Sequence, residues 1–493
     1  MEHKISKLHP PRFELSSELS ISRILTGLWQ IADIERKSGP IDRNVGADKL
    51  QAYFDAGFDT FDMADHYGTA EIVVGTLLKR FSSSTPRPTI LTKWCPKPGK
   101  MTDDIVRKGI SERLTRLQST SIDLLQFHWW SFQHPAWLDA LHHVSALQRE
   151  GLIKEIGVTN FDTAHLRLAL SDGIPIITNQ VSFSLLDRRA SGSLAKLCST
   201  SSVKLLAYGT LCGGFLTEKW LGKPEPKEIS DWSKMKYKRF IDIAGGWKAF
   251  QNILAMANKI AKKYRVSIAN VATRWVLEQK GVAGVIIGAR LGENSHSADN
   301  MHLFSFSLDD DDYALFNEAF AKTNSIPGDC GDEYRKSPFL TASGDLSDHL
   351  STIPFSNKIE PILYHSKDAR ILSGSEWEDV AGYCRANRVG NRIYVAGTTA
   401  TAGLDRIVAP DDAGAQTTFI LDKILEALSQ LGAKVEDIVR TRIYIIDEKD
   451  VAAVADAHGL VFKEIKPTNT LIVVQKLIGN YRVEIEAEAV IRN

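Results

Sequence analysis

Between Ser22 and about Gly288, short runs rich in β-branched and aromatic residues alternate with longer stretches whose apolar positions recur at i, i+3 and i+4. The runs are RILTGL (23 to 28), FDTFDM (58 to 63), TILTKW (89 to 94), IDLLQFH (122 to 128), IKEIGVT (153 to 159), IPIITNQ (174 to 180), VKLLAY (203 to 208) and VAGVIIG (282 to 288). Stretches such as TDDIVRKGISERLTRLQ and AWLDALHHVSALQREG carry the helical period between them. Repeated strand and helix units of this kind predict a parallel sheet, and this number of strands is what a closed (β/α)8 TIM barrel requires.

The stretch from His302 to Lys322 predicts a closing helix, with Ser307 as N-cap and Asp309 to Asp312 placing negative charge in the first turn. Gly, Pro, Ser and Asp then dominate SIPGDCGDEYRKSPFLTASGDLSDHLSTIPFSNK, a connector whose Tyr334 and Phe339 suit packing on a surface. Cys330, Asp332 and Glu333 lie close in sequence, but no second cluster completes a metal shell around them. After about residue 376 a new pattern begins: NRIYVAGTT, a long amphipathic helix, the strand DIVRTRIYIID, a second helix, TNTLIVVQK and YRVEIEAEAVI. It predicts a small α+β domain. The expected division is a barrel over 1–325, a linker over 326–360 and the second domain over 361–493.

At 493 residues two or more domains are the default. Lys+Arg and Asp+Glu both total 60, which removes the electrostatic footprint of a nucleic-acid or membrane-surface binder and favours a small neutral partner. The five cysteines are scattered and never form a C-x-x-C pair, so neither a disulfide framework nor a metal site is expected. With no apolar h-region at the N-terminus and no uncharged run near the ~20 residues of a membrane span, the expected location is the cytoplasm.

In a TIM barrel, chemistry collects at the C-terminal ends of the strands. Asp62, Lys93, His128, Asn160, Gln180 and Tyr208 all stand at or just past strand ends. Together with FDMADHYGTAEIVVG, LTK at 91 to 93, DLLQFH at 123 to 128, GVTNF at 157 to 161, NQ at 179 to 180 and IIGAR at 286 to 290, they make residues 14 to about 325 resemble the aldo-keto reductase family. That resemblance implies NADPH-dependent reduction of a carbonyl through Asp62, Tyr67, Lys93 and His128. Reduction puts negative charge on oxygen, so a proton donor and oriented hydrogen bonds must meet it there. Tyr67 is the natural donor. A phenol holds its proton tightly at neutral pH; the Lys93 ammonium favours the phenolate, Asp62 holds that ammonium in place, and His128 orients the substrate oxygen. His66 is expected as pocket wall.

No G-x-G-x-x-G follows the first strand, so a Rossmann site is not supported. The resemblance implies instead that Asn160 and Gln180 hold the nicotinamide carboxamide and that Tyr208 stacks on the ring. Leu211 with Gly213 would lie along the pyrophosphate and Gly288 along the cofactor, with Arg290 on the adenosine 2′-phosphate and Asn300 on the adenine. Arg suits a phosphate because its planar fork makes paired charge-assisted bonds, which favours NADPH/NADP+; a surface role for Arg290 is the alternative. Thr159 stands where the family usually has Ser, and Thr210 where Pro usually follows the tyrosine. Trp29, Trp94, Trp129 and Trp130 adjoin strand ends; each either lines an aromatic substrate pocket or packs in the core.

From about residue 376 the strand IYVAGTT, Gln416, GAKVEDIVRTRIYIID and VEIEAEA resemble the Rid (YjgF-like) family, whose enamine/imine deaminases are trimers with sites between subunits. Asn469 occupies the place of the family's carboxylate-gripping Arg, and Ala396 that of a site Ser. Asn cannot form the charged fork. Glu484 keeps the family's acidic position, and a solvent-facing strand carboxylate is its alternative. Three readings of the whole follow: a reductase whose second domain trimerises it or binds a ligand, a bifunctional enzyme whose second domain hydrolyses an enamine or imine, and an NADPH-sensing regulator without useful turnover. A homo-oligomer, possibly a trimer, is expected, with a small carbonyl compound as partner and neither nucleic acid nor membrane.

Overall fold

Each of the eight apolar runs forms a parallel strand, and in the computed structural model they close on themselves in the order β8-β1-β2-β3-β4-β5-β6-β7. The strands are β1 (Ile24–Gly27), β2 (Thr60–Asp62), β3 (Thr89–Trp94), β4 (Ile122–His128), β5 (Ile153–Thr159), β6 (Ile176–Ser182), β7 (Lys204–Tyr208) and β8 (Val282–Gly288). The structure describes residues 9–31, 39, 41–82, 85–289, 291, 296–340, 354–362, 368–403 and 405–492. Helices between the strands bury their apolar stripes on the barrel's outside, as with Val144, Leu141 and Leu147 of the helix Ala136–Arg149. A short hairpin, Arg12–Glu14 with Ser20–Ser22, carries Leu19 and Ile21 against Leu25, Leu91, Leu124, Leu206 and Ala283. This cluster plugs the N-terminal end of the barrel and leaves the other end for chemistry.

Strand register brings the polar strand ends to that open rim: Asp62 pairs with Leu91, Lys93 with Gln126, His128 with Thr159, and Thr159 with Gln180. The closing helix forms over Asp310–Phe320, but its N-cap is Asp309, not Ser307. Asp309 accepts from the Asp312 backbone N–H while the Asp312 carboxylate accepts from that of Asp309, so two orphan amides are met reciprocally. The Ser307 hydroxyl instead accepts from Arg274 at 2.8 Å.

The connector folds back over the open rim. Its short helix Asp332–Arg335 follows Gly331, whose φ of +85° and whose place beside the Asn160 carbonyl, 2.1 Å from where a Cβ would stand, leave room only for glycine. Arg335 donates to the carbonyls of Asn160 and Trp129, at 2.6 Å each. Glu333 pairs with Arg189 at 2.9 Å, and Asp332 with Lys336 at 3.0 Å. Ion pairs thus occupy both acidic side chains of the connector cluster.

The C-terminal region builds a separate seven-stranded sheet from β9 (Lys358–Pro361), β10 (Ala369–Leu372), β11 (Ala386–Val389), β12 (Arg392–Thr399), β13 (Ile438–Ile445), β14 (Thr468–Val473) and β15 (Val483–Val490). Its order is β9-β10-β11-β12-β15-β13-β14, antiparallel except where β13 meets β14. The helices Ala413–Gln430 and Val451–Phe462 pack together, the first also against the sheet. Strict alternation along β15 buries Val483, Ile485, Ala487 and Ala489 and turns Glu484, Glu486 and Glu488 to the opposite face. The helix Thr163–Ser171 of the barrel packs on Ala413–Gln430, and charged pairs lace the junction: Arg167 with Asp412 at 2.7 Å, Arg406 with Asp172 at 2.6 Å and His165 with Asp422 at 2.9 Å.

Candidate active site

Because β2 and β3 are adjacent and parallel, Asp62 and Lys93 leave neighbouring strand ends on the inner side, and the Lys93 ammonium donates to Asp62 Oδ2 at 2.7 Å and to the Met63 carbonyl at 3.0 Å. Gln126 and Gln180 donate to Asp62 Oδ1 at 3.0 and 2.7 Å. The carboxylate is fully buried, yet these donors meet both of its oxygens. Lys93 is pulled below its ordinary pKa by burial, against the Asp62 charge that holds it up. Its nitrogen lies 5.3 Å from the centre of the Tyr67 ring. Tyr67 stands in the turn after β2, fixed edge-on by Trp29 at 5.0 Å and His66 at 4.8 Å.

His128 completes the group from the end of β4. Burial, joined by the charges of Arg335, His66, Lys93 and Lys236, pushes its pKa well below the ordinary value, so the imidazole is neutral at physiological pH. A neutral ring has one N–H and one acceptor. The indole of Trp130 donates to Cys95 Sγ at 2.9 Å, and that sulfur lies 3.7 Å from His128 Nδ1. A thiol proton given to Nδ1 would leave the N–H on Nε2. That nitrogen is buried with no partner among the described residues, in a side chain that lines the central cavity.

The cavity encloses about 570 Å³ and runs from Asp62, Tyr67, Lys93 and His128 past Thr159, Asn160, Gln180 and Tyr208 to Leu211, Gly213, Gly288 and Asn300. All the residues expected at a nicotinamide dinucleotide therefore border one space, apart from Arg290, which lies outside the described residues. The donor set fits such a group. Thr159 Oγ1 is buried without a partner among the described residues, beside Asn160 and Gln180, where a carboxamide needs polar contacts. At Gly214 a Cβ would meet nothing within 4 Å and φ is +89°, a backbone stretch open to close approach. Asn160 itself adopts φ +56° and accepts from the Tyr208 hydroxyl at 2.9 Å.

Of the tryptophans, Trp29 and Trp130 line the cavity. Trp94 and Trp129 do not. Trp94 is buried with its ring 2.6 Å from where a Gly109 Cβ would be, and Trp129 is fully buried, stacked on Phe127 at 5.8 Å. Strand alternation explains it: with Lys93 and His128 pointing inward, their next residues point out to the helices. Tyr334 and Lys236 also line the cavity, where the sequence had placed neither. Tyr334 arrives from the connector, its ring 5.8 Å from that of His128, and its hydroxyl lies 3.3 Å from that of Tyr208. Lys236 arrives from the helix Trp232–Ile243 and donates to the Tyr334 hydroxyl.

In the second domain, Asn469 donates to Thr441 Oγ1 at 2.9 Å. Asn469 lies opposite Thr441 in the β13–β14 register, and Glu484 opposite Tyr444 in the β13–β15 register, three residues further along β13 and so roughly 10 Å away. An odd spacing also puts them on opposite faces, so within one chain they do not converge. Burial first, then the neighbouring Glu486, raises the Glu484 pKa.

The aldo/keto reductase family matches residues 23–321, and the family described as endoribonuclease L-PSP matches residues 374–491. The NADH-specific methylglyoxal reductase of Escherichia coli is 24% identical over 331 residues, covering 62% of this chain and 96% of that one. Among solved structures, the glycerol dehydrogenase of Gluconobacter oxydans has the same barrel fold at a TM-score of 0.53, with 23% identity over 64% of this chain and 97% of its own. A YjgF/YER057c/UK114 family member from Mycobacterium tuberculosis is 40% identical over 25% of this chain and 99% of its own, with a TM-score of 0.23.

Proposed function

The chain belongs to the aldo/keto reductase family, and we propose that its barrel reduces an aldehyde or ketone to the alcohol with NADPH, through Tyr67, His128, Lys93 and Asp62. The observation that carries this reading is the orphaned His128 Nε2, which borders the same cavity as Tyr67 above the Asp62–Lys93 pair. Thr159, Asn160 and Gln180 would hold the carboxamide, Tyr208 the ring, and Leu211, Gly213, Gly288 and Asn300 the rest of the dinucleotide. Arg290 is the residue assigned to the 2′-phosphate, and it is the basis for preferring NADPH. The dinucleotide, when bound, supplies a hydride to the carbonyl carbon.

The chain's own groups handle the oxygen. The His128 Nε2–H donates to it and fixes its direction; the Tyr67 hydroxyl gives it a proton, completing the alcohol. Lys93 stabilises the phenolate left behind, and Asp62, satisfied by Gln126 and Gln180, keeps the ammonium charged despite burial. Oxidation of NADPH and of NADH over a panel of aldehydes and ketones tests the reading, with Tyr67→Phe as control. Equal use of both cofactors by the wild type and by Arg290→Ala would remove the 2′-phosphate assignment.

For the second domain the favoured role is assembly or ligand binding. Ile478 is 95% exposed, and Ile472 and Val473 on the edge strand β14 are half-exposed, an apolar margin that suits contact with further copies. Imine hydrolysis is the weaker reading, because the Asn469 amide lacks the charge to hold a carboxylate. Sedimentation of the whole chain tests assembly: a trimer supports it, and a monomer excludes it and leaves ligand binding as the domain's role.

A further inference from the structure

We propose that Lys236 is an anion-recognising residue at the reacting end of the cavity and that the preferred carbonyl substrate carries a carboxylate. The proposal rests on the reductase reading above and adds the substrate class to it.

The helix Trp232–Ile243 carries neighbouring lysines with different fates. Lys234 pairs with Asp231 at 2.8 Å, and Lys238 with Glu225 and Asp242 at 2.6 and 2.5 Å. Lys236 lies on the helix's buried stripe with Tyr237 and Phe240. It is 6% exposed, and among the described residues it forms no ion pair with a carboxylate. An ammonium removed from water without a counter-ion is costly, and a site that keeps one has a use for an anion.

The surroundings only partly compensate the charge. Its nitrogen lies 4.5, 5.1 and 5.8 Å from the ring centres of Tyr334, Tyr208 and Tyr237. The hydrogen bonds around it have one consistent sense. Tyr208 gives its proton to Asn160 Oδ1, so it accepts from Tyr334, and Tyr334 in turn accepts from Lys236. An ammonium has three donors, and among the described residues one of them is used, on Tyr334. Lys236 lines the cavity, where its remaining donors can meet a ligand.

Position selects the substrate as the anion's source. Lys236 touches Tyr334, whose ring meets those of His128 at 5.8 Å and Trp130 at 5.5 Å. A carbonyl held at His128 Nε2 thus has a fixed cation one side chain beyond it, on the far side of Tyr334. The dinucleotide pyrophosphate, assigned to Leu211 and Gly213, is the competing source.

The experiment pairs 4-carboxybenzaldehyde with benzaldehyde in wild type, Lys236→Met, Lys236→Gln and Lys236→Arg, with NADPH affinity read separately by fluorescence. The wild type is expected to favour the carboxylate at least tenfold in kcat/KM. Met and Gln should abolish that preference mainly through KM, Arg should restore part of it, and NADPH affinity should stay within twofold. A wild type that favours benzaldehyde overturns the proposal. So does an equal loss on both aldehydes with weakened NADPH binding, which would give Lys236 to the pyrophosphate. Terephthalate, which cannot be reduced at a carboxylate here, separates the two readings. If neither aldehyde is reduced but the NADP+-loaded protein binds terephthalate in a Lys236-dependent way, the reductase reading fails and the subsite stands. Absence of that binding overturns the subsite.

Discussion

His165 Nε2, on the barrel helix Thr163–Ser171, donates to Asp422 Oδ2 of the second domain at 2.9 Å while His165 Nδ1 meets Asp162 at 2.7 Å. Burial opposes the charged imidazole, but the two carboxylates outweigh it and raise its pKa from 6.5 to about 9. Its ring stacks on Phe132 at 3.7 Å, and Phe132 carries the Arg335 guanidinium at 4.2 Å. The junction between domains and the connector over the cavity thus share one stack.

A group whose folded pKa is raised contributes stability that is complete below its unfolded value and disappears as pH climbs through the folded value. His165 should therefore contribute on the order of 3 kcal/mol at pH 6, lost between about pH 6.5 and 9. Thermal unfolding of the wild type should show Tm falling across that window, and His165→Gln should flatten the slope. A slope unaltered in the variant would refute the clamp.

Breaking the Asp62–Lys93 pair from one side leaves a buried charge uncompensated, which costs roughly 3–5 kcal/mol. Asp62→Asn should lower Tm and, in the fraction that folds, reduce kcat by about 10²-fold or more. Calorimetry and steady-state rates on the same sample measure both.

The Cys95 sulfur accepts from the Trp130 indole and lies 3.7 Å from His128 Nδ1, where it can orient the imidazole. Cys95→Ala should lower kcat several-fold with NADPH affinity unaltered, and Cys95→Ser, which keeps a donor, should recover most of the loss. Equal rates in Ala and Ser variants would show that the sulfur does not position the imidazole.

Gly331→Ala puts a Cβ against the Asn160 carbonyl at a positive φ, so the connector must lift. A lower Tm and a raised KM for the carbonyl substrate are expected; unchanged values of both would show that Tyr334 does not border the bound substrate.

Much of the barrel was legible because each strand is a short apolar run between polar punctuations; β3, β4, β5 and β8 have the bounds the runs suggest. That Asp62, Tyr67, Lys93 and His128 border one cavity was legible because strand ends and the turns that follow them share one rim. Trp94 and Trp129 were misplaced among the pocket candidates, although alternation from Lys93 and His128 already pointed them outward. Tyr334 and Lys236 were illegible for a different reason. Tyr334 reaches Tyr208 across 126 residues, through a connector with no periodicity to place it. Lys236 differs from Lys234 and Lys238 only in burial, which tertiary packing decides. The N-cap at Asp309 was missed because a run of four aspartates offers several equivalent starts.

The central claim is that Tyr67 delivers the proton to a carbonyl oxygen held by His128. Single-turnover reduction by NADPH in Tyr67→Phe, with cofactor affinity measured in parallel, tests it most directly. The rate should fall by about 10²-fold or more with NADPH binding unchanged; a wild-type rate in the phenylalanine variant would contradict the assignment.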